Sequence, residues 1–333
     1  MDAVADDEVF DGAFRSETPG ASHLCGHDLH TAVGIGVARV LAMLRPQLPG
    51  RVVFLFQPAE ETLSGAQAMI DDGVLSRHRP DEIYALHCMP LPVGTFAVMP
   101  GVVGLSGHDN FDLELIGPTE VAKADQFTSA VADWSTLTPP GTPDDVQQHL
   151  ADLQHADGPL AHFVFAGART MVGPQCRHAH VHGWVKAWPE DMYPGQRDRV
   201  RNLVQRTYGT ALRHRLAFRG IRPPAMVCAP HLSNAAAQYF RSTFGDDSVT
   251  VWRAMLPFNG EDFAIFLNHM PGAMFGLGVT NAAAGFNGHP HSPAFTADEQ
   301  AISRGTRAMA GWLHTRLHTL ANGARASSAD HLH

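Results

Sequence analysis

Short apolar runs alternate with helical patterns along the first third of the chain. Residues 32–44 (AVGIGVARVLAML) carry apolar side chains on nearly every side, which predicts a helix buried against a sheet, and Pro46 and Gly50 punctuate its end. Residues 51–56 (RVVFLF) then predict a buried strand. Residues 64–72 give a short helix stopped by Gly73, and residues 82–86 (EIYAL) the next strand. Near the other end, residues 273–277 (AMFGL) predict another strand, while 232–244 and 298–317 carry helical patterns. Residues 6–20 are polar and turn-rich, closing on Thr18-Pro19-Gly20, and predict a loop. Strands alternating with helices predict an α/β fold on a mainly parallel open sheet.

The middle of the chain has another texture. Residues 110–116 (NFDLELI) and 178–185 (HAHVHGWV) alternate as half-exposed strands do, a Pro- and Thr-rich stretch lies at 136–143, and His178, His180 and His182 cluster. This predicts a smaller α+β domain, residues 108–218, inserted into a discontinuous catalytic domain of residues 1–107 and 219–333. The Ala/Ser/His tail after Asn322 is expected to fray.

Polar residues fall at informative places on this pattern. QPAEE (57–61) follows Phe56 at once, His87 follows Leu86 at once, and a Gly-rich loop carrying His289 and His291 follows residues 273–277. All three positions are expected at strand carboxyl ends, where open α/β sheets bind ligands. A fourth stretch, Cys25-Gly26-His27-Asp28, precedes the first long helix. Together with a glutamate of QPAEE, His87 and a histidine of the late Gly-rich loop it supplies a mixed soft and hard ligand set suited to Zn, Mn, Co or Ni.

Composition narrows the class. A chain of 333 residues with 44% hydrophobic and 17% charged residues is an ordinary globular protein long enough for two domains. A net charge of −9 without long acidic runs argues against a nucleic-acid partner and for a small-molecule substrate. Four cysteines do not form a disulfide framework, which favours a reducing, cytoplasmic compartment. No apolar run reaches the roughly 18 residues that predict a membrane span.

The blocks HLCGHDLHTA, VVFLFQPAEETLSGAQAMIDDGVL, ALHCMPLPVGTFAVMPG, NGEDF and HPHSPAFTADE resemble, in this order, those of the hippurate hydrolase and indoleacetyl-amino-acid hydrolase type of aminoacylase, subfamily D of peptidase family M-twenty. The resemblance covers residues 1–107 and 219–317. It implies a zinc-peptidase-like catalytic domain with an inserted lid and dimerisation domain, and two divalent transition-metal ions. Cys25 would bridge the ions, with His27, Glu61, His87 and His291 as further ligands and Glu60 as the catalytic base. The reaction implied is hydrolysis of the amide bond of an N-acyl amino acid or related N-acyl amine by metal-activated water. Homodimerisation through the inserted domain is the family expectation.

Other residues near the blocks have weaker claims. Asp28 either orients a ligand imidazole or caps the helix. His30 is expected to be structural or to stand behind the ligands, Glu261 of NGEDF either lies near the site or caps the helix that follows, and His289 competes with His291. Cys88, Cys176 and Cys228 are read as ordinary thiols.

Departures from the family pattern are as specific as the matches. Relatives carry a helix and strands before the Met-Asp-Ala at which this sequence starts, so a central strand is expected to be missing and neighbouring edges exposed. The family's Gly-Gly-His-Ala is replaced by residues 117–122 (GPTEVA), which lack the oxyanion-binding His that usually serves the partner subunit. Its Asn-Val-Ile-Pro is replaced around residues 174–178, and its Gly-Thr-Val-Arg by Gly183-Trp184-Val185-Lys186. These changes predict an altered substrate preference. They also leave a second reading open, a catalytically silent relative that binds metal and a ligand or partner protein.

Overall fold

The computed structural model describes residues 2–10, 12, 14–101, 104–209, 213–218 and 222–330. The chain divides into two compact units, one of residues 1–101, 228–251 and 266–333, the other of residues 102–227 and 252–265. Relative to the sequence-based division, the joins shift by several residues and residues 252–265 pass to the second unit. Among the described residues the strands are β1 (Ile83–Pro92), β2 (Phe96–Val98), β3 (Gly104–Leu105), β4 (Asp109–Ile116), β5 (Phe163–Val172), β6 (His178–Trp188), β7 (His214–Phe218), β8 (Val249–Val251), β9 (Met255–Leu256) and β10 (Gly272–Thr280).

The first unit is built on a sheet of order β1-β10-β2-β8. β1 and β10 run parallel, as do β2 and β8, while β10 and β2 are antiparallel. The sheet is therefore mixed with parallel pairs in the majority. Phe96, Phe240, Phe275 and Trp312 are all fully buried and join sheet to helices, with ring centroids 4.6 Å apart for Phe96 and Phe240, 5.3 Å for Phe240 and Phe275, and 6.2 Å for Phe275 and Trp312. Burial of each such ring contributes on the order of 1.5–3 kcal/mol, so this aromatic chain is a substantial part of what holds helices Pro230–Phe244 and Gln300–Asp330 on the sheet. The second of these helices extends well beyond the predicted 298–317 and includes backbone expected to fray.

The first helix, His27–Met43, buries His27, Leu29, Val33, Val37 and Leu41 at a regular helical spacing and leaves Ile35 and Met43 exposed. It is buried along one stripe rather than on all sides. Gly26 begins it with φ 73, and a Cβ at that position would meet Cys88 Sγ at 2.6 Å. Only glycine satisfies both conditions, which fixes the sharp turn between Cys25 and His27.

Two expectations are corrected here. Residues 51–56 form no ladder and Phe56 is 51% exposed, because an apolar run signals burial whereas a strand also needs a neighbour in register. Among the described residues β1 pairs with β10 alone and is an edge strand. β1 also continues past Leu86 to Pro92, so His87 lies within the strand, opposite Gly276.

The second unit holds an antiparallel sheet of order β5-β6-β4-β7 and the small parallel pair β3-β9. Phe111, Leu113, Leu115, Ala179, Val181 and Val185 point from β4 and β6 to one face, where they pack with Phe127 and Val131 of helix Ala124–Ala132 and Val200, Leu203 and Val204 of helix Gln196–Tyr208. Asp109 receives two hydrogen bonds from Arg197, at 2.8 and 2.9 Å, and ties that second helix to β4. β5 was not predicted, since its apolar residues FVFA sit on both faces and hide the alternation.

Candidate metal centre

Three chain segments of the first unit meet around Cys25, which is buried just before the first helix. The late loop is fixed by a 2.8 Å hydrogen bond from the His291 backbone N–H to the Leu24 carbonyl. His291 itself sits in the left-handed region, φ 60, a conformation that costs a non-glycine residue free energy and that the surrounding bonds must hold. This brings His291 Nε2 to 3.2 Å from Cys25 Sγ and 3.5 Å from Glu61 Oε2. His87 Nε2 lies 3.5 Å from the same sulfur. His27 Nε2 lies 3.6 Å from Glu60 Oε2 and 3.7 Å from Glu61 Oε1.

Two triads, Cys25-His27-His87 and Cys25-Glu61-His291, each have donor atoms within 4.8 Å of one another. They share the sulfur. A third group, His27-Glu60-Glu61, lies beside them. The arrangement could hold two cations, with the Cys25 sulfur common to both groups.

Hydrogen bonds fix which nitrogen each imidazole presents. His87 Nδ1 donates to the Cys88 carbonyl at 2.8 Å, so Nε2 keeps its lone pair. Burial above all, with His27 and His291 adding to it, brings the His87 pKa down to about 4 despite that bond. The ring is neutral at physiological pH, as a metal ligand must be. His27 Nδ1 donates to Asp2 Oδ1 at 2.9 Å, and the other Asp2 oxygen accepts the Glu61 backbone N–H at 2.9 Å. Asp2 thus orients one imidazole and the turn bearing Glu60 and Glu61 at once. Asp28, the carboxylate considered for that task from sequence, is instead exposed on the first turn of the helix.

The other residues singled out from the sequence make hydrogen bonds of their own. His30 Nε2 accepts the Cys88 N–H at 2.8 Å, and its ring centroid lies 4.5 Å from that of His87 with the planes tilted by 60°. Burial first, then His87 and His27, hold His30 well below the usual imidazole range. Cys88 is fully buried, donates to the Cys25 carbonyl at 3.2 Å, and has its pKa pushed up by burial, so it stays a thiol. Glu261 belongs to the second unit, where its carboxylate accepts the Phe263 N–H at 2.9 Å, the capping role considered for it. His289 takes no part in the two triads.

The donor set fits divalent transition metals. Glu61 Oε1 is buried with no hydrogen-bond partner, a costly state for a carboxylate oxygen that a cation would relieve. A thiolate, neutral imidazoles and a carboxylate converging on two points are what such ions select.

The sequence profile of peptidase family M20/M25/M40 matches residues 1–315. A Synechocystis sp. protein named "Probable hydrolase" is 31% identical over 327 residues, covering 94% of this chain and 78% of its own. The N-acetyldiaminopimelate deacetylase of Enterococcus faecalis is 28% identical over 322 residues, covering 94% and 80%. Among solved structures, a Bacillus subtilis YXEP protein, described as a dinuclear metal binding peptidase from the M20 family, superposes with a TM-score of 0.67 at 26% identity, covering 96% of this chain and 79% of its own.

Proposed function

We infer the reaction from the premise that this chain belongs to peptidase family M20/M25/M40 and is a hydrolase acting on amides. The substrate we propose is an N-acyl amino acid or a related N-acyl amine, cleaved with Glu60 as general base. The observation carrying this reading is the pair of triads that share Cys25 while Glu60 stands at their side, 3.6 Å from His27 Nε2. The deacetylase named above acts on an N-acetyl group attached to an amino acid, which supports the substrate class.

Cys25, His27, Glu61, His87 and His291 would hold two divalent cations. Such cations supply Lewis acidity, acidifying water and polarising an amide carbonyl. The chain's own groups do the rest. Cys25 as thiolate and Glu61 as carboxylate provide the negative charge that holds cations in a largely buried site. His87 and His27, fixed through their Nδ1 hydrogen bonds, keep Nε2 lone pairs directed into the cluster. Glu60 takes a proton from the attacking water as its oxygen bonds to the carbonyl carbon. It returns that proton to the leaving nitrogen as the C–N bond breaks, a transfer that contributes typically about 100-fold to 10,000-fold.

Glu60→Gln tests the assignment. The variant should retain the parent's content of about two ions per chain and lose hydrolysis of N-acetyl and N-benzoyl amino acids. Equal activity in parent and variant would refute the role of Glu60. A fully loaded parent that turns over none of the panel would instead favour the silent, ligand-binding relative.

A further inference from the structure

The donors of the Cys25 cluster differ in what carries them. His27 opens the first helix and His87 lies within β1, so regular elements hold both. His291 stands on an irregular loop after β10, in the left-handed region with φ 60, and its side chain is 48% exposed against 9% for His27. A ligand so placed keeps its position only if the loop beneath it is rigid.

That rigidity has an identifiable source. The two ends of the loop, Asn287 and Thr296, are clasped by three hydrogen bonds: the Asn287 N–H donates to Thr296 Oγ1 at 3.0 Å, the Thr296 N–H to Asn287 Oδ1 at 3.4 Å, and the Gly288 N–H to the Thr296 carbonyl at 2.8 Å. The Asn287 side chain also reaches into the loop. Its Oδ1 accepts the His289 N–H at 2.9 Å, and its Nδ2 donates to the Ala294 carbonyl at 2.5 Å. Thr296 is 8% exposed, and its hydroxyl donates onward to the Gly285 carbonyl at 3.3 Å. Two side chains thus brace the segment on both flanks of His291.

We propose that Asn287 and Thr296 are positioning residues for His291: their clasp sets the affinity of the cation held by Cys25, Glu61 and His291, and leaves the cation held by Cys25, His27 and His87 unaffected.

This role rests on the reading of the cluster as a site for two cations. A loop ordered in advance gives its full contact energy to the ion, whereas a loop ordered only on binding loses part of that energy to conformational entropy. Without the Asn287 side chain the tip keeps two tethers, from the His291 N–H to the Leu24 carbonyl and from the Val9 N–H to the Pro293 carbonyl, each 2.8 Å. The flanks of His291 lose their bonds at His289 and Ala294. Neither imidazole of the other triad lies on this loop, so the effect is confined to one cation.

The test is stepwise removal of ions from the metal-loaded protein by a competing chelator, comparing the parent with Asn287→Ala, Thr296→Val and Thr296→Ser. Asn287 is exposed, so its truncation leaves the core packing intact. The parent should release two ions. In Asn287→Ala and Thr296→Val one ion should bind about 10-fold more weakly, the scale on which groups behind a ligand act, while the other keeps the parent's affinity. Thr296→Ser, which retains the hydroxyl, should match the parent. Loaded with Co2+, the two weakened variants should keep the sulfur-to-cobalt absorption through the first equivalent, because Cys25 still serves the ion that stays. Release curves identical in parent and variants, or an equal weakening of both ions, would overturn the proposal and leave the clasp a closure of a surface loop. A parent that holds no ions would overturn the two-cation reading itself, and this role with it.

Discussion

Lys186 illustrates what one enclosed cation does to a protein's pH response. It is buried in the second unit, donates to the Phe258 carbonyl at 2.7 Å, and burial lowers its pKa from 10.5 to about 7. Between about pH 7 and pH 10.5 the unfolded chain binds a proton here that the folded chain does not. This group's contribution to stability therefore rises with pH across that window, and its full cost is present below pH 7. Every tenfold loss of proton affinity on folding costs about 1.4 kcal/mol, so Lys186→Met should gain several kcal/mol at neutral pH and less at pH 10. Denaturant melts of parent and variant across pH 6–10 check the sign; a constant difference would refute it. Asp2 gives a second residue-scale prediction. Asp2→Ala should weaken metal binding about 10-fold to 100-fold, the usual effect of losing a partner behind a ligand, as read by chelator competition. Legibility differs between such residues. Cys25, His27, Glu60, Glu61, His87 and His291 lie in recognisable blocks, and the structure brings them together. Asp2 lies in a stretch read only as the point where the sequence begins, and its role comes from a tertiary contact across 25 residues.

At the scale of elements, the first helix lies against helix Gln300–Asp330 at Gly36. A Cβ there would stand 2.5 Å from Thr306 Oγ1 and 3.0 Å from its Cγ2. Gly36→Ala gains helix propensity of about 1 kcal/mol against a shift of one short side chain. Gly36→Val adds bulk that the contact cannot absorb and should cost about 1–3 kcal/mol, visible as a lower denaturant midpoint. Helices were legible because Gly and Pro punctuate them: Gly73 follows helix Gly65–Asp71 with φ 84, and Gly245 ends helix Pro230–Phe244. Strands were less so. Residues 51–56 have the composition of a strand without a partner, and β5 has a partner without the alternation that would announce it. Pairing is a property of two segments, and one segment's composition reports it only indirectly.

For the whole molecule, ions held by the cluster at Cys25 would link ligand binding to folding, since ions that bind only the folded chain stabilise it by mass action. Free ligand at 100 times its dissociation constant adds about 2.7 kcal/mol. Stripping the protein with a chelator should therefore lower its melting temperature, and adding back Zn2+ or Mn2+ should restore it in a concentration-dependent way. A melting temperature indifferent to both treatments would argue against ions at this site. The separation of the ligands along the chain has a further consequence. Cys25 and His291 are 266 residues apart, and ribosomes add roughly 5–20 residues per second. A newly made Cys25 thus waits on the order of 13–50 s before its partner imidazole has even been synthesised. During that interval the thiol has no finished cage around it. If Cys25 holds the ions as proposed, their binding can be completed only after the last part of the chain is made, and until then the thiol on which both triads converge stays open to oxidation.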